Sequence, residues 1–106
     1  MPRVIYRQVN GAEYEISVNI GDSVMDGAVD NGIDGIVAQC GGACICATCH
    51  CYVDAGWFER LRPPGQTEAE MLGYVLEPRP TSRLACQIRL DETLDGLIVD
   101  IPARQI

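Results

Sequence analysis

The sequence predicts an α+β domain in which helices pack on one side of a mixed sheet, and three observations lead there. Hydrophobic alternation of period two runs through residues 4–18 and returns near 84–90 and 96–101. Two stretches between them, from about 22 to 31 and from 67 to 77, carry apolar residues at helical spacing. The 106 residues hold no internal repeat or low-complexity segment and have the length of one domain, 1–106. A chain of this size buries roughly 65% of its unfolded surface, so it does not need disulfide staples to fold.

Each element has its own reason. Asn10-Gly11 is the favoured pair for a two-residue hairpin turn, and Tyr14, Ile16 and Val18 alternate with Glu13, Glu15 and Ser17, so a hairpin is expected over 4–18 with one face in the core. Asp22 and Ser23 are both good N-caps for a helix running to about Asn31, with Val24 and Ala28 opposite Asp22, Asp26 and Asp30. Those aspartates, at i, i+4 and i+8, repel one another and are expected on a solvated face. Asn31-Gly32 and Asp34-Gly35 end the helix, and an irregular loop rich in glycine and cysteine leads into a short strand, His50 to Val53. The stretch Trp57 to Gln66, with Pro63-Pro64-Gly65, reads as a loop anchored by Trp57, Phe58 and Leu61. Thr67-Glu68-Ala69-Glu70 reads as a capping box that opens a helix with Met71, Leu72, Val75 and Leu76 on its apolar face and Pro78 at its end. In the strand near 84–90, Leu84, Cys86, Ile88 and Leu90 share a face, so regular structure is expected to hold Cys86.

Fifteen carboxylates stand against eight arginines, with no lysine, for a net charge of −7. That balance argues against a nucleic acid partner and suits a partner with a basic face, although excess acid also serves solubility. No apolar run reaches the roughly 18 residues of a membrane span. Met1-Pro2-Arg3-Val4-Ile5-Tyr6 enters a strand pattern directly, without a signal-peptide core or an Arg/Ser-rich presequence. The expectation is a monomeric protein of the cytoplasm, bacterial rather than a mature organellar form, with no membrane partner. In a reducing compartment clustered cysteines are more often metal ligands or redox groups than bridges.

The stretch 40-CGGACICATCHC-51 holds five cysteines in twelve residues, and a sixth lies at Cys86. A structural zinc site normally takes two close ligand pairs, whereas here Cys46 and Cys49 form one pair and Cys86 stands alone. A thioredoxin-like dithiol would want Cys46-Ala47-Thr48-Cys49 at a strand-to-helix junction, and no convincing helix begins there. Among [2Fe–2S] spacings, the plant-type C-x4-C-x2-C fails from every starting cysteine. The variant with five intervening residues has one solution, Cys40, Cys46 and Cys49, and the fourth ligand would then be Cys86. Spacing leaves Cys44 and Cys51 as bystanders, packed as small apolar groups.

The pattern C-G-G-x-x-x-C-x-T-C-H followed by S-R-L-x-C-Q-I resembles the vertebrate- and bacterial-type [2Fe–2S] ferredoxins, the family of adrenodoxin and putidaredoxin. The resemblance covers nearly the whole chain, including Asn31-Gly32-Ile33, Tyr52-Val53, Glu70-Met71-Leu72, Leu94-Asp95-Gly96 and Pro102. It implies a β-grasp (ubiquitin-like) ferredoxin fold, with a cluster-binding loop and Cys40 and Cys46 on one iron, Cys49 and Cys86 on the other. Gly41, Gly42, Ala43, Ala47 and Thr48 are small enough for the loop to close around a cluster and turn backbone N–H groups towards its sulfurs, which raises the reduction potential. His50, the only histidine, could be imagined as a Rieske-like ligand, but four cysteines complete the set and the family's histidine here is structural.

Two ferric ions, two sulfides and four thiolates together carry −2, which takes the formal charge from −7 to about −9, and to about −10 after one electron. A centre that gains charge without gaining a bond suits a shuttle. No Ser/His/Asp constellation or phosphate-binding loop competes for a catalytic role, so a carrier without catalysis of its own is expected. The resemblance implies a flavin-containing, NAD(P)H-dependent ferredoxin reductase as donor and a cytochrome P450 monooxygenase as acceptor. The alternatives are a ferredoxin serving iron–sulfur cluster assembly and, more remotely, a non-redox zinc-binding structural domain. The acidic helix after the loop usually meets the basic face of the partner, which here nominates Glu68, Glu70 and Glu77, with capping as the competing role for the first two. Gln39 stands where close relatives carry an acid, and Ile106 where they carry an aromatic residue, so both belong to the expected partner surface without matching the family's pattern.

Overall fold

β1 (Arg3–Arg7) and β2 (Glu13–Ser17) form the expected hairpin, antiparallel with Val4 opposite Ile16 and Tyr6 opposite Tyr14. The computed structural model describes residues 1–33, 49–75 and 77–102. The hairpin turn is longer than expected. Gly11 N–H donates to the Gln8 carbonyl at 3.0 Å and Gln8 N–H to the Ala12 carbonyl at 2.7 Å, so Val9, Asn10 and Gly11 together make the loop. Gly11 takes the left-handed conformation, φ +90°, while Asn10 turns its side chain back to accept from Ala12 N–H at 2.9 Å. Val4, Tyr6 and Val18 are buried, but Tyr14 is 46% exposed, because β2 lies at the edge of the sheet.

Ser23 caps α1 (Val24–Asp30) through a reciprocal pair. Its hydroxyl accepts from Asp26 N–H at 3.1 Å, and the Asp26 carboxylate accepts from Ser23 N–H at 2.9 Å. Asp26 is therefore half of a cap as well as one of a row of solvated acids. Val24, Met25, Gly27 and Ala28 are buried. α1 lies so close to β1 that a Cβ on Gly27 would sit 2.5 Å from Tyr6 Oη and 2.7 Å from Val18 Cγ2. The Tyr6 hydroxyl donates to the Val24 carbonyl at 2.7 Å, pinning strand to helix.

β3 (His50–Val53) follows as expected and is buried throughout. Beyond it Asp54 caps a helical turn, α2 (Ala55–Phe58), where a loop is expected from sequence. Trp57, Phe58 and Leu61 pack against the core as anticipated. α3 (Gln66–Met71) starts two residues early, with Gly65 and not Thr67 at its N-cap and no side-chain bond there. The expected Thr67–Glu70 box therefore does not form, and the helix stops well short of Pro78. Val75 is buried beyond its end, and Leu76 lies outside the described residues.

β4 (Ser82–Leu84) overlaps the strand expected near 84–90 only at Leu84, where the chain passes into a 3-10 turn, Ala85–Gln87. Cys86 thus sits on a turn, not on a strand. The alternation survives the change, since Leu84, Cys86, Ile88 and Leu90 are buried while Gln87 and Arg89 face solvent. A second 3-10 turn, Glu92–Leu94, leads to β5 (Leu97–Asp100). The sheet order is β2-β1-β5-β3-β4, with β1 and β5 parallel at its centre and the other pairs antiparallel. This is the mixed sheet of the β-grasp fold. Among the described residues no helix is long and apolar enough to cross a membrane.

Candidate metal centre

Two of the four expected ligands lie in the described residues, and the fold brings them together. Cys49 immediately precedes β3 and Cys86 sits in the turn that follows β4. The antiparallel register that sets His50 opposite Leu84, continued by Ala85 N–H donating to the Cys49 carbonyl at 2.9 Å, places the two cysteines side by side. Their thiols are hydrogen-bonded to each other, and both residues are 1% exposed. That contact first, and burial second, push the Cys49 thiol above its ordinary range, against the opposing pull of a hydrogen bond from the Cys86 backbone.

Two adjacent buried thiols hold their protons unless a cation takes the protons' place. Soft sulfur donors paired in this way, out of water, fit iron or zinc. Gln87 Nε2 stands 3.4 Å from Cys86 Sγ, an outer contact that would favour negative charge on that sulfur. Among the described residues no group of three or more metal-ligating side chains assembles. The other two expected ligands, Cys40 and Cys46, lie outside the described residues, as do Cys44, Gly41, Gly42, Ala43, Ala47, Thr48, Gln39 and Ile106.

Cys51 is fully buried within the hydrophobic core, and burial pushes its thiol up to about 12. It has the surroundings of a small apolar side chain. His50 is buried on the same strand, its Nε2 2.8 Å from Ser82 Oγ and its ring edge-on to Tyr52 at 4.7 Å. Burial and then the nearby Arg79 lower its pKa to about 4, so the imidazole is neutral and ties β3 to β4.

Glu68 corrects an expectation. It is 3% exposed and turns inward, with Arg83 Nε and Nη2 donating to its two oxygens at 2.6 and 2.9 Å and Leu84 N–H donating to one of them at 3.0 Å. A third bond runs from Arg83 Nη1 to the Arg62 carbonyl at 2.8 Å. Glu68 therefore cannot form part of a partner surface: it braces α3 against β4, two residues before Cys86. Glu70 and Glu77 do face solvent. Glu77 holds an unusual positive φ of 52°, and its carbonyl accepts from the Tyr52 hydroxyl at 2.6 Å. Sequence reasoning passed over Arg83, Ser82 and Gln87. The S-R-L-x-C-Q-I motif contains all three, but nothing in a linear pattern says that Arg83 meets Glu68 or that Ser82 meets His50.

Comparisons with known proteins bear on what such a centre holds. Residues 7–91 match the family model of the 2Fe-2S iron-sulfur cluster binding domain. The chain is 53% identical over 103 residues to ferredoxin CarAc of a Sphingomonas species, covering 97% of this chain and 94% of that one. It is 43% identical to putidaredoxin of Pseudomonas putida over 106 residues, 99% of each chain. The crystal structure of a covalent putidaredoxin reductase–putidaredoxin complex contains a chain that superposes with a TM-score of 0.93 at 43% identity, covering 96% of this chain and 99% of that one.

Proposed function

The chain belongs to the 2Fe-2S iron-sulfur cluster binding domain family, and on that premise we propose that it is a one-electron carrier between a flavin-containing NAD(P)H ferredoxin reductase and a cytochrome P450 monooxygenase. A [2Fe–2S] cluster supplies the one-electron couple. The ligands are Cys40, Cys46, Cys49 and Cys86, and the observation that carries the assignment is the buried, hydrogen-bonded Cys49–Cys86 pair. Residues separated by thirty-six others are brought side by side and out of water there, an arrangement suited to holding a cation between thiolates. Cys44 and Cys51 are not ligands. The reductase complex of a 43%-identical relative supports a reductase as donor. The protein has no catalysis of its own and works in the bacterial cytoplasm.

The chain's residues divide the work. Gly41, Gly42, Ala47 and Thr48 have side chains small enough for a loop to close around a cluster. His50, bonded to Ser82, and Glu68, bonded to Arg83 and Leu84, keep β3, β4 and the Cys86 turn in register. Glu70 and Glu77, with Gln39 and Ile106, form the partner face.

A serine scan with turnover tests the reading. Cys49→Ser and Cys86→Ser are expected to yield colourless protein, while Cys44→Ser and Cys51→Ser stay red-brown and give a rhombic paramagnetic signal only after one-electron reduction. A colourless Cys44→Ser or Cys51→Ser product would overturn the ligand set. Turnover with a purified reductase and a P450, set against a cluster-assembly system, assigns the acceptor, and transfer to the assembly system alone would replace the P450.

A further inference from the structure

A groove of about 470 Å³ opens between the end of α2, the loop before α1 and the segment 87–94, and its charge runs against that of the chain. Among the described residues, Arg60, Arg62, Arg83 and Arg89 line it, four of the chain's eight arginines, with Asp91 as the one acid. The chain as a whole carries fifteen acids against eight arginines, so this lining reverses the balance. Arg83 is matched by Glu68 beneath the floor. The other three arginines are exposed.

Two of those three are held in position, Arg60 by neutral groups and Arg89 by a carbonyl and a long, exposed ion pair. Arg60 stacks over the Trp57 ring, 4.3 Å from its centroid, and donates to the Thr93 carbonyl at 3.0 Å. Arg89 donates to the Gly21 carbonyl at 3.4 Å, with Asp26 at 3.8 Å. Asp91 is engaged by the backbone N–H and hydroxyl of Thr93. Leu61, Ile88, Leu90 and Leu94 give the groove an aliphatic lining, and Ile20 at its rim is 56% exposed.

We propose that this groove docks an extended acidic and aliphatic peptide segment presented by a protein partner. Guanidinium groups held in place, as those of Arg60 and Arg89 are, bind carboxylates at little further ordering cost. The aliphatic lining takes the apolar side chains that alternate with those carboxylates. A compact polyanion such as phosphate finds no equivalent fit, because Asp91 stands among the arginines and the lining offers it nothing. The groove also reaches the metal centre: Gln87 lines it and contacts Cys86 Sγ. It offers a partner the opposite charge to the Glu70 and Glu77 face, and it does not depend on the electron-carrier reading.

Calorimetry on the cluster-loaded protein, with the fluorescence of Trp57, the single tryptophan, as a local reporter, tests the proposal. The probe is an acetylated octapeptide of alternating Glu and Leu, compared with its Gln-and-Leu counterpart and with pyrophosphate. Saturable binding of the acidic peptide is expected, weakened about tenfold in the Arg62→Gln/Arg89→Gln double variant and retained in Glu70→Gln. An unchanged visible spectrum and melting curve show that the double variant is folded. Absent binding, equal binding to the double variant, or equal binding of the Gln peptide would overturn the proposal. So would pyrophosphate reproducing the Trp57 response, which would make the groove a small-anion site.

Discussion

Two ion-pair systems brace opposite sides of the same sheet on different physical terms. On the β4 side, Arg83 and Glu68 are almost wholly buried, and the carboxylate accepts from two guanidinium nitrogens and a backbone N–H. On the β2 side, Arg3 reaches Glu15 at 2.8 Å and Asp95 at 3.3 Å with about half of each side chain in water. Taking charges out of water is tolerable only where geometry returns nearly all of the lost solvation, whereas exposed pairs are screened and contribute little. The costly arrangement lies next to Cys49 and Cys86, so among the described residues most buried polar side chains (His50, Glu68, Ser82 and Arg83) gather around the proposed metal site.

The sharpest way to break the contrast is Glu68→Ala, which strands the Arg83 guanidinium in the interior. A loss of about 3–5 kcal/mol is expected in urea unfolding, together with faster loss of colour on heating. A loss below about 1 kcal/mol would place this pair on the same footing as a surface one. Next in size is Gly27→Ala, between the two sides, where the new methyl would meet Tyr6 Oη and Val18 Cγ2. It should cost about 1–3 kcal/mol by overpacking, and an unchanged midpoint would mean that α1 slides freely over β1. Glu70→Gln acts at the surface, so it should slow reductase-driven reduction a few-fold at low salt and hardly at all at high salt, with stability unaffected. A rate unchanged across the salt series would remove Glu70 from the partner face. The smallest effect belongs to Arg3→Ala, for which the denaturation midpoint at physiological salt should match wild type; a clear drop would show that the exposed clamp also matters.

Much of this was legible in the sequence because the decisive signals are local. The alternation in 4–18, the Ser23 cap and the spacing of Cys40, Cys46 and Cys49 are short-range patterns, and they pointed to the hairpin, the helix and the candidate cluster ligands. What was misread depends on contacts between distant segments. Thr67 and Glu70 have the letters of a capping box, but Gly65 starts the helix earlier and Glu68 is drawn inward by Arg83, fifteen residues on. Likewise the regular alternation after Leu84 hides a 3-10 turn, because such a turn can keep the same residues buried while the strand pairing ends. The Arg60, Arg62 and Arg89 groove could not be anticipated, since two chain segments must fold together before those charges share a wall.

The parallel pairing of β1 with β5 also sets a timetable. Arg7 lies opposite Asp100 in the middle of the sheet, so the first strand made has one of its two neighbours only when the last strand exists. At synthesis rates of about 5–20 residues per second, Arg7 waits on the order of 5–20 s for that partner. The cysteines of 40–51 leave the ribosome well within that interval, as reactive thiols on a chain that has no centre to its sheet. Metal loading at the proposed site therefore belongs after translation has all but finished, and a chain cut before Leu97 would present all six cysteines without the strand that completes the sheet.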